Sequence, residues 1–398
     1  MISALPASAT FSDVIKIVGK PGTDIGNALE EYYYHLDDGS NIRVLVLDDN
    51  RTLLSITLFS ADYQHPTELF PKPSETASAA TSPAPPQTID AFSPHTLPGR
   101  GLAQHPFLYA GETERRRPEQ TISVVRDGKV VWTYSIPCKD PAGRAQELSD
   151  AWMLSSGNIL FARETGAMEI TPAKKVIWNY DAPAGCEVHV AQPVDKEHVF
   201  ILQSGTPAQA MIINTTTGAV EKQTVIPADP PPHSQFRHAR LTATGTILAA
   251  HLNEGRVAEY DWSGKEIWSV PAPSVWAATR LKNGNTLISL EHTGVLEVNP
   301  QGKTVWEFTQ ADVPDITLVS IQEASRLANG NTLICNWTSG RVPLPEWPKA
   351  VQLIEVTPDK KVVWALRSWT GKADLGPATS VQLLDEPGSP ETPGQLQR

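Results

Sequence analysis

Short apolar runs alternate with glycine- and asparagine-containing turns along most of this chain. The clearest example is residues 278–308, ATRLKNGNTLISLEHTGVLEVNPQGKTVWEF. Asn283-Gly284 tolerates the positive φ angles of a tight hairpin turn. The apolar runs on either side of it have the length and composition of β-strands. The segment therefore predicts a four-stranded antiparallel meander of the length of a propeller blade.

The same unit recurs along the chain. Its first turn returns as SGNIL at 156–160, TGTIL at 244–248 and NGNTL at 329–333. Its fourth strand places a large residue at one register in six copies, at Trp132, Trp178, Lys222, Trp268, Trp306 and Trp364. An aromatic residue at one register of each outer strand can fill the wedge between neighbouring blades. We therefore expect these tryptophans to pack blades together rather than to bind a ligand.

The first and last copies are both incomplete. The first lacks its first strand, whereas residues 378–384, ATSVQLL, resemble a first strand with nothing after it. Joining the two gives a mainly β protein with a six-bladed propeller over residues 101–390, whose C-terminal strand completes blade 1. Closure of this kind also removes the open edge of a linear array.

The N-terminal part has a different pattern. Residues 10–63 predict a small α+β domain, in which Thr10 or Ser12 caps a helix that runs to Val18. The Pro-, Ser- and Ala-rich residues 64–100 predict an extended linker.

Two resemblances follow from these patterns. The stretch FSDVIKIVGKPGTDIGNALEEYYYHLDDGSNIRVLVLDDN resembles small envelope lipoproteins of the SmpA/OmlA type, which implies a protein-interaction module. The repeats resemble bacterial six-bladed propellers of the arylsulfotransferase type and, more loosely, PQQ-like repeats. Ala7-Ser8-Ala9 has the A-x-A pattern of a signal-peptide cleavage site. Together these features predict a periplasmic or secreted protein of the bacterial envelope.

Composition narrows the partners. The formal net charge of −11 argues against a nucleic acid or an anionic membrane surface. The sequence contains no run of about 20 apolar residues, so we expect no transmembrane helix. The cysteines Cys138, Cys186 and Cys335 are far apart and form no metal-ligand pair or disulfide framework.

A propeller site is expected on the face where the first strands begin and the second-to-third loops lie. The starts of the first strands supply an inner ring of Asp150, His189, Arg237, His238, Trp276, Gln322 and Thr379. The loops supply an outer ring of Glu112, Arg115, Arg116, Arg117, Arg163, Glu164, His251, Glu254, Glu291, His292, Trp337 and Arg341. The longest loop, residues 336–349, also carries Trp347 and could act as a lid. The alternative interpretation of these polar residues is a channel that is merely hydrated.

Several chemistries fit these residue types. The arylsulfotransferase resemblance implies His238 or His189 as nucleophile, with Arg237 or Arg163 holding the sulfuryl oxygens. The sequence does not require a cofactor, but a divalent metal could bind, with candidate ligands His189, His238, His251 and His292. A ligand would be contacted by Asp150, Arg163, His251, Trp276, His292, Gln322, Trp337 and Arg341.

Two hypotheses therefore stay open. The first is a propeller that binds a carbohydrate or a protein, with a glycan, a small anionic or aryl ligand, or an envelope protein as partner. The second is an enzyme acting on a sugar or aryl ester, either sulfotransferase-like or a metal-dependent lyase. A quinone-cofactor propeller is disfavoured, because such enzymes usually have eight blades and a calcium site.

Overall fold

The computed structural model describes residues 96–396 except 115 and 339–341, together with five N-terminal strands and two helical residues, Val14 and Lys16. The chain divides into two compact units, Met1–Pro85 and Pro86–Arg398. None of the helices in the described part of the chain is long and apolar enough to cross a bilayer.

The N-terminal unit contains one antiparallel sheet in chain order. Its strands are β1 (Thr23–Asp24), β2 (Leu29–His35), β3 (Asn41–Leu47), β4 (Leu53–Phe59) and β5 (Thr67–Phe70). Val44 of β3 pairs with Ile56 of β4, and both are fully buried, as is Val14. Strand β5 lies in the region predicted to be linker. The predicted helix limits Thr10, Ser12 and Val18 lie outside the described residues.

The second unit is a ring of four-stranded antiparallel sheets. It opens with β6 (Phe107–Gly111), β7 (Glu119–Arg126) and β8 (Lys129–Pro137). Blade 2 is β9 (Leu148–Met153), β10 (Ile159–Arg163), β11 (Gly166–Ile170) and β12 (Val176–Asp181). Blade 3 is β13 (Glu187–Pro193), β14 (His198–Ser204), β15 (Ala208–Asn214) and β16 (Val220–Ile226).

Blades 4 to 6 repeat this arrangement. Blade 4 is β17 (Phe236–Leu241), β18 (Ile247–His251), β19 (Arg256–Tyr260) and β20 (Glu266–Pro271). Blade 5 is β21 (Val275–Arg280), β22 (Thr286–Leu290), β23 (Gly294–Val298) and β24 (Thr304–Thr309). Blade 6 is β25 (Ser320–Arg326), β26 (Thr332–Trp337), β27 (Leu353–Val356) and β28 (Val362–Leu366).

The last strand closes the ring. Strand β29 (Ala378–Leu383) pairs antiparallel with β6, so blade 1 has the order β29-β6-β7-β8. The prediction of six blades completed by a C-terminal strand is confirmed. The repeated turn is also as predicted, because its glycines adopt φ angles between 79° and 88° at Gly157, Gly245, Gly284 and Gly330.

Outer-strand tryptophans join neighbouring blades. Four of them donate the indole N–H to a backbone carbonyl beyond their own blade: Trp132 to Pro172 (2.7 Å), Trp268 to Pro300 (2.8 Å), Trp306 to Pro358 (2.9 Å) and Trp364 to Gly101 (2.9 Å). The guanidinium of Arg326 in blade 6 lies 4.9 Å from the ring centroid of Trp306 in blade 5. The prediction that these residues pack blades together agrees with these contacts.

Blade 3 has a lysine in place of the outer-strand tryptophan, and the wedge beside it is filled differently. Its outer strand has Lys222, and the ammonium lies 4.4 Å from the ring centroid of Trp262 in the following blade. Trp262 packs edge-on against Phe200 of blade 3 and donates its indole N–H to the carbonyl of Gly245 at 2.8 Å. The aromatic ring is thus supplied from the other side of the wedge.

The C-terminal tail covers the channel end at which the first strands finish. Glu386 accepts from the backbone N–H of Ala328 in blade 6 at 2.8 Å, and Glu391 accepts from that of Ser155 in blade 2 at 2.6 Å. A cavity of about 70 Å³ lies beneath the tail, lined in part by Leu396. The opposite end of the channel is the one at which the predicted site residues lie.

Trp364→Ala should lower the free energy of unfolding by about 3–5 kcal/mol, since it removes a fully buried indole and leaves a cavity. Val305→Ala is the control, because Val305 is 52% exposed on an equivalent outer strand. Its effect should stay within about 0.5 kcal/mol. Chemical denaturation measures both, and equal effects would contradict the role of the tryptophan.

Candidate functional site: the channel face

Every first strand of the propeller contains a β-bulge. In β13, Val188 pairs with Gln203 and Val190 with Leu202, so His189 is the extra residue. The corresponding irregular positions are Ser149 and Asp150, Arg237 and His238, Trp276, Gln322, and Thr379. Bulges redirect side chains and are common beside functional sites. All the residues of the predicted inner ring therefore lie where the first strands depart from regular pairing.

One cluster forms around the bulge of blade 3. The carboxylate of Glu187 lies 3.0 Å from Nε2 of His189 and 2.9 Å from Nδ1 of His233. A guanidinium nitrogen of Arg237 lies 3.2 Å from Nδ1 of His189, and Arg237 also contacts Nε2 of His233. The hydroxyl of Ser149 lies 3.1 Å from Nδ1 of His189. Blades 2, 3 and 4 thus meet in one polar network.

These contacts define the protonation of the network. Arginine only donates and an ionised carboxylate only accepts, so each imidazole donates one N–H to Glu187 and accepts from Arg237. Burial and the charge of Arg237 lower the pKa of His189 to about 4, which keeps the ring neutral at pH 7. Burial opposes ionisation of Glu187, but hydrogen bonds from His189 and His233 outweigh it and hold the pKa of the carboxyl well below its usual range.

Glu147 pairs with Arg237, and a further carboxyl group, that of Glu112, lies close to Glu147. The guanidinium of Arg237 donates to Glu147 at 2.9 Å and lies 5.6 Å from the ring centroid of Trp276. Burial and the charge of Glu147 raise the pKa of Glu112 well above its usual value. Glu112 accepts from the indole N–H of Trp337 at 2.9 Å. The face is therefore rich in acidic groups, and one of them favours its neutral form.

His238 has an imidazole nitrogen available. Its Nδ1 accepts from the backbone N–H of Ala278 at 3.4 Å. Burial and the charge of Arg240 lower the pKa of His238 well below its usual value, so Nε2 carries the proton of a neutral ring. This buried Nε2 has no hydrogen-bond partner within the described residues. Such a group can be satisfied by a ligand or a water molecule.

A buried ion triad crosses the channel below this face. Arg240 of blade 4 binds both carboxylate oxygens of Asp150 in blade 2, at 2.6 and 2.8 Å. The same guanidinium reaches Glu323 of blade 6 at 3.4 Å. Burial raises the pKa of both carboxyl groups. Asp150, predicted to contact a ligand, is therefore committed to holding alternate blades together.

Arg163 is also committed to structure. Its guanidinium donates to Gln146 at 3.0 Å, Asn179 at 2.8 Å and Asp181 at 2.7 Å. The arginine is buried within blade 2 and its margin. Its guanidinium thus joins Gln146, in the loop before β9, to strand β12. Fewer of its N–H groups are left to bind a ligand.

His251 is packed rather than open. Its ring is 1% exposed and lies 4.8 Å from the ring of Phe236 between centroids. Nε2 meets the hydroxyl of Tyr260 at 2.8 Å, and Nδ1 lies 3.1 Å from Glu254. Burial lowers its pKa to about 4. These contacts serve the interior of blade 4.

The remaining predicted residues are placed as follows. His292 is partly exposed and pairs with Glu291 at 3.2 Å. Two arginines of the first loop also have acidic partners: Arg116 pairs with Glu114 at 3.2 Å, and Arg117 pairs with Asp374 at 3.0 Å. Glu164 is buried, and the hydroxyl of Thr379 donates to Gln322. Arg115 and Arg341 lie outside the described residues.

The loop predicted to act as a lid is packed where it is described. Residues Leu344–Lys349 form a 3-10 helix in which Trp347 is fully buried. Trp347 donates to the carbonyl of Val342 at 3.0 Å and packs 5.9 Å from the ring of Trp369 between centroids. The tryptophan anchors this part of the loop.

The four histidines predicted as metal ligands do not come together. Among the described residues, the group of metal-ligating type is Glu187, His189 and His233, whose ligand atoms all lie within 4.8 Å of one another. Glu187 could have been found two residues before His189 in the same strand. His233 gave no such signal, because a proline-rich connection brings it in from outside the repeat.

Comparisons with known proteins support the fold. The chain matches no protein-family model, and no curated protein is significantly similar to it. A crystal structure of a protein of unknown function from Bacteroides caccae is similar, with 25% identity, a TM-score of 0.60, and coverage of 70% of this chain and 97% of that one.

More distant propellers include a virginiamycin B lyase from Staphylococcus aureus, at 12% identity, a TM-score of 0.41, and coverage of 57% of this chain and 72% of that one. Another is the Cps50 (Swd1) β-propeller domain of Myceliophteria thermophila, at 13% identity, a TM-score of 0.44, and coverage of 69% of this chain and 88% of that one. The strand pairing itself makes the molecule a six-bladed β-propeller, and these distant likenesses say nothing about its activity.

Arg240→Met should destabilise the protein by about 3–5 kcal/mol, because it leaves Asp150 and Glu323 buried without their cation. Arg256→Met is the control: its ion pairs are more exposed, and their loss should cost about 1 kcal/mol or less. Denaturant unfolding compares the two. A loss no greater for Arg240→Met than for the control would contradict a structural role for the triad.

His251 predicts a dependence of stability on pH. The pKa is about 4 in the folded protein and 6.5 for an unperturbed histidine, so the unfolded chain binds a proton first as the pH falls. Stability is therefore fully present above pH 6.5 and is lost between pH 6.5 and 4. His251→Gln should reduce this slope by up to about 1.4 kcal/mol per pH unit.

The measurement is the free energy of unfolding across this range. His198→Gln is the matched control, because the hydrogen bond that the ring of His198 donates to Asp195 raises the pKa of this more exposed histidine. Its stabilising contribution is present at acid pH and is lost as the pH rises, so removing it should leave the acid slope of His251 in place. An unchanged slope in His251→Gln would exclude the assignment.

Proposed function

We propose that the propeller binds a polyhydroxylated ligand of the carbohydrate type on its channel face. The observation that carries this proposal is the row of bulges that gathers His189, Arg237, His238 and Trp276 at one end of the channel. The buried Nε2 of His238 adds a donor to which a ligand hydroxyl can bind. Such convergence of a few polar groups with an aromatic ring is typical of small-molecule sites.

Charge supports a hydroxylated ligand over an anionic one. Arg237 pairs with Glu147 and shares its two histidine partners with Glu187, and the whole chain carries a formal charge of −11. Carboxylates accept hydrogen bonds from hydroxyl groups but repel sulfate or phosphate. The face of an indole such as that of Trp276 suits the apolar side of a sugar ring.

An enzyme of the sulfotransferase type is the second candidate. Its supporting observation is again the buried Nε2 of His238, which would act as a nucleophile or base in the other tautomer, with the proton on Nδ1. Against it, Arg163 is paired with Asp181 and Arg237 with Glu147, so both predicted sulfuryl-binding groups already have acidic partners. Ligand binding without turnover is therefore the better-supported proposal.

A place in the bacterial envelope, a signal peptide and an SmpA/OmlA-like interaction domain belong to the same proposal. They are supported by the N-terminal sequence pattern. An envelope glycan would then be the natural ligand class for the propeller.

The binding proposal is tested by calorimetry with neutral oligosaccharides and aryl sulfates. His238→Ala and Trp276→Ala should each weaken binding of an oligosaccharide by about tenfold or more, the equivalent of one hydrogen bond or stacking contact. His198→Ala, at the opposite end of blade 3, should leave it unchanged.

Thermal unfolding of each variant establishes that it is folded. Oligosaccharide binding that survives both site variants would exclude this face. Hydrolysis or transfer from an aryl sulfate that is lost in His238→Ala would instead establish the enzymatic alternative.

A further inference from the structure

Three metal-ligating side chains meet where blade 3 adjoins blade 4. Glu187 and His189 lie two residues apart in β13, on either side of Val188. His233 lies in the 3-10 helix Pro232–Ser234, which leads into β17. Prolines 230 to 232 restrict the backbone before this histidine. A stiff connection therefore holds His233 against a strand of the neighbouring blade.

Their ligand atoms are close enough for one ion. The Glu187 oxygen lies 3.0 Å from Nε2 of His189 and 2.9 Å from Nδ1 of His233, and all three atoms lie within 4.8 Å of one another. Tetrahedral bonds of about 2.0–2.1 Å to zinc place neighbouring ligand atoms about 3.3 Å apart. Small side-chain movements bring the three atoms to that geometry.

We propose that Glu187, His189 and His233 bind a divalent cation of the zinc type through one carboxylate oxygen and two imidazole nitrogens. Two imidazoles favour zinc and similar borderline ions over magnesium or calcium, which prefer oxygen ligands. Binding of this ion does not depend on the carbohydrate ligand proposed above.

The cluster has a closed side and an open side. The His189 side chain is 0% exposed, whereas those of Glu187 and His233 are 21% and 24% exposed. Three protein ligands with an open side leave a coordination position for water or another ligand. With Nε2 on the ion, Nδ1 of His189 would carry its proton towards the hydroxyl of Ser149, 3.1 Å away. Partners of this kind fix the tautomer of a ligating histidine.

Arg237 competes with the ion. Its guanidinium lies 3.2 Å from Nδ1 of His189 and contacts Nε2 of His233. It therefore occupies the one acceptor nitrogen of each neutral imidazole, whereas metal binding at the other nitrogen would place a proton there. It also balances the charge of Glu187. An ion would take over that charge balance, leaving Arg237 paired with Glu147 at 2.9 Å. Removing the positive charge of Arg237 should consequently tighten metal binding.

The test uses the full chain after treatment with a chelator, titrated with Zn²⁺ by calorimetry. We expect one ion per chain. His233→Ala and Glu187→Gln should each weaken its binding by more than the ~10–100-fold typical of losing a partner of a ligand. His198→Ala is the matched control, since His198 is a more exposed histidine that also lies between two carboxylates, Asp195 and Glu221. It should bind the ion as tightly as the unaltered chain.

A charge variant and a spectrum complete the test. Arg237→Gln should bind Zn²⁺ at least about tenfold tighter, because a nearby like charge is removed. The Co²⁺-loaded chain should show d–d absorption without sulfur charge-transfer bands, which separates this site from Cys138, Cys186 and Cys335. Mg²⁺ and Ca²⁺ should bind more weakly than Zn²⁺.

Particular results would overturn the proposal. One is tight binding that persists in both His233→Ala and Glu187→Gln while thermal unfolding shows that both variants are folded. A second is an equal loss in His198→Ala, which would indicate surface binding. Arg237→Gln that binds no tighter would contradict the competition between the guanidinium and the ion.

Discussion

The pairing of β29 with β6 is the constraint on which the rest of the propeller depends. It joins β29 to β6, β7 and β8, which are the first three strands of the propeller. Every blade therefore has a neighbouring blade on both sides. Closure also gives all six first strands a common axis, and side chains from blades that are distant in sequence meet there. The contact of Asp150 with Arg240, 90 residues apart, exists because the ring is closed. Without closure the channel groups would be solvated edges of separate sheets.

Within that ring, the first strands carry both stabilising contacts and the face that we propose binds a ligand. Beyond the bulges the strands are regular, and Arg240 and Glu323 there join the bulge residue Asp150 in an ion triad that crosses the channel. At the bulges the backbone leaves the regular ladder, and polar groups gather around Arg237. A bulge costs ladder hydrogen bonds. Six of them on one face are consistent with a surface shaped for binding rather than for packing alone.

The fold was accessible from the sequence because each blade repeats local signals. A turn such as Asn283-Gly284 and an outer-strand residue such as Trp306 report structure within a few residues of themselves. The inner ring was also accessible, since the repeat register placed His189 and Trp276 at the starts of first strands. The roles of the individual site residues could not be predicted in this way. Whether Arg163 or Asp150 is free for a ligand depends on partners such as Asp181 and Arg240, which only the closed ring brings close.

His233 shows the limit most clearly. It belongs to no repeated position, and its neighbours Glu187 and Arg237 come from two different blades. The network it completes balances one carboxylate against one guanidinium through two neutral imidazoles. Replacing Glu187 or Arg237 changes which imidazole nitrogen is protonated. A neutral ring has one lone pair, and a ring that accepts a hydrogen bond from arginine cannot offer that lone pair to an ion. The proposed competition between Arg237 and a cation for His189 and His233 therefore rests on the hydrogen-bonding capacity of the imidazoles, each of which has one lone pair to offer.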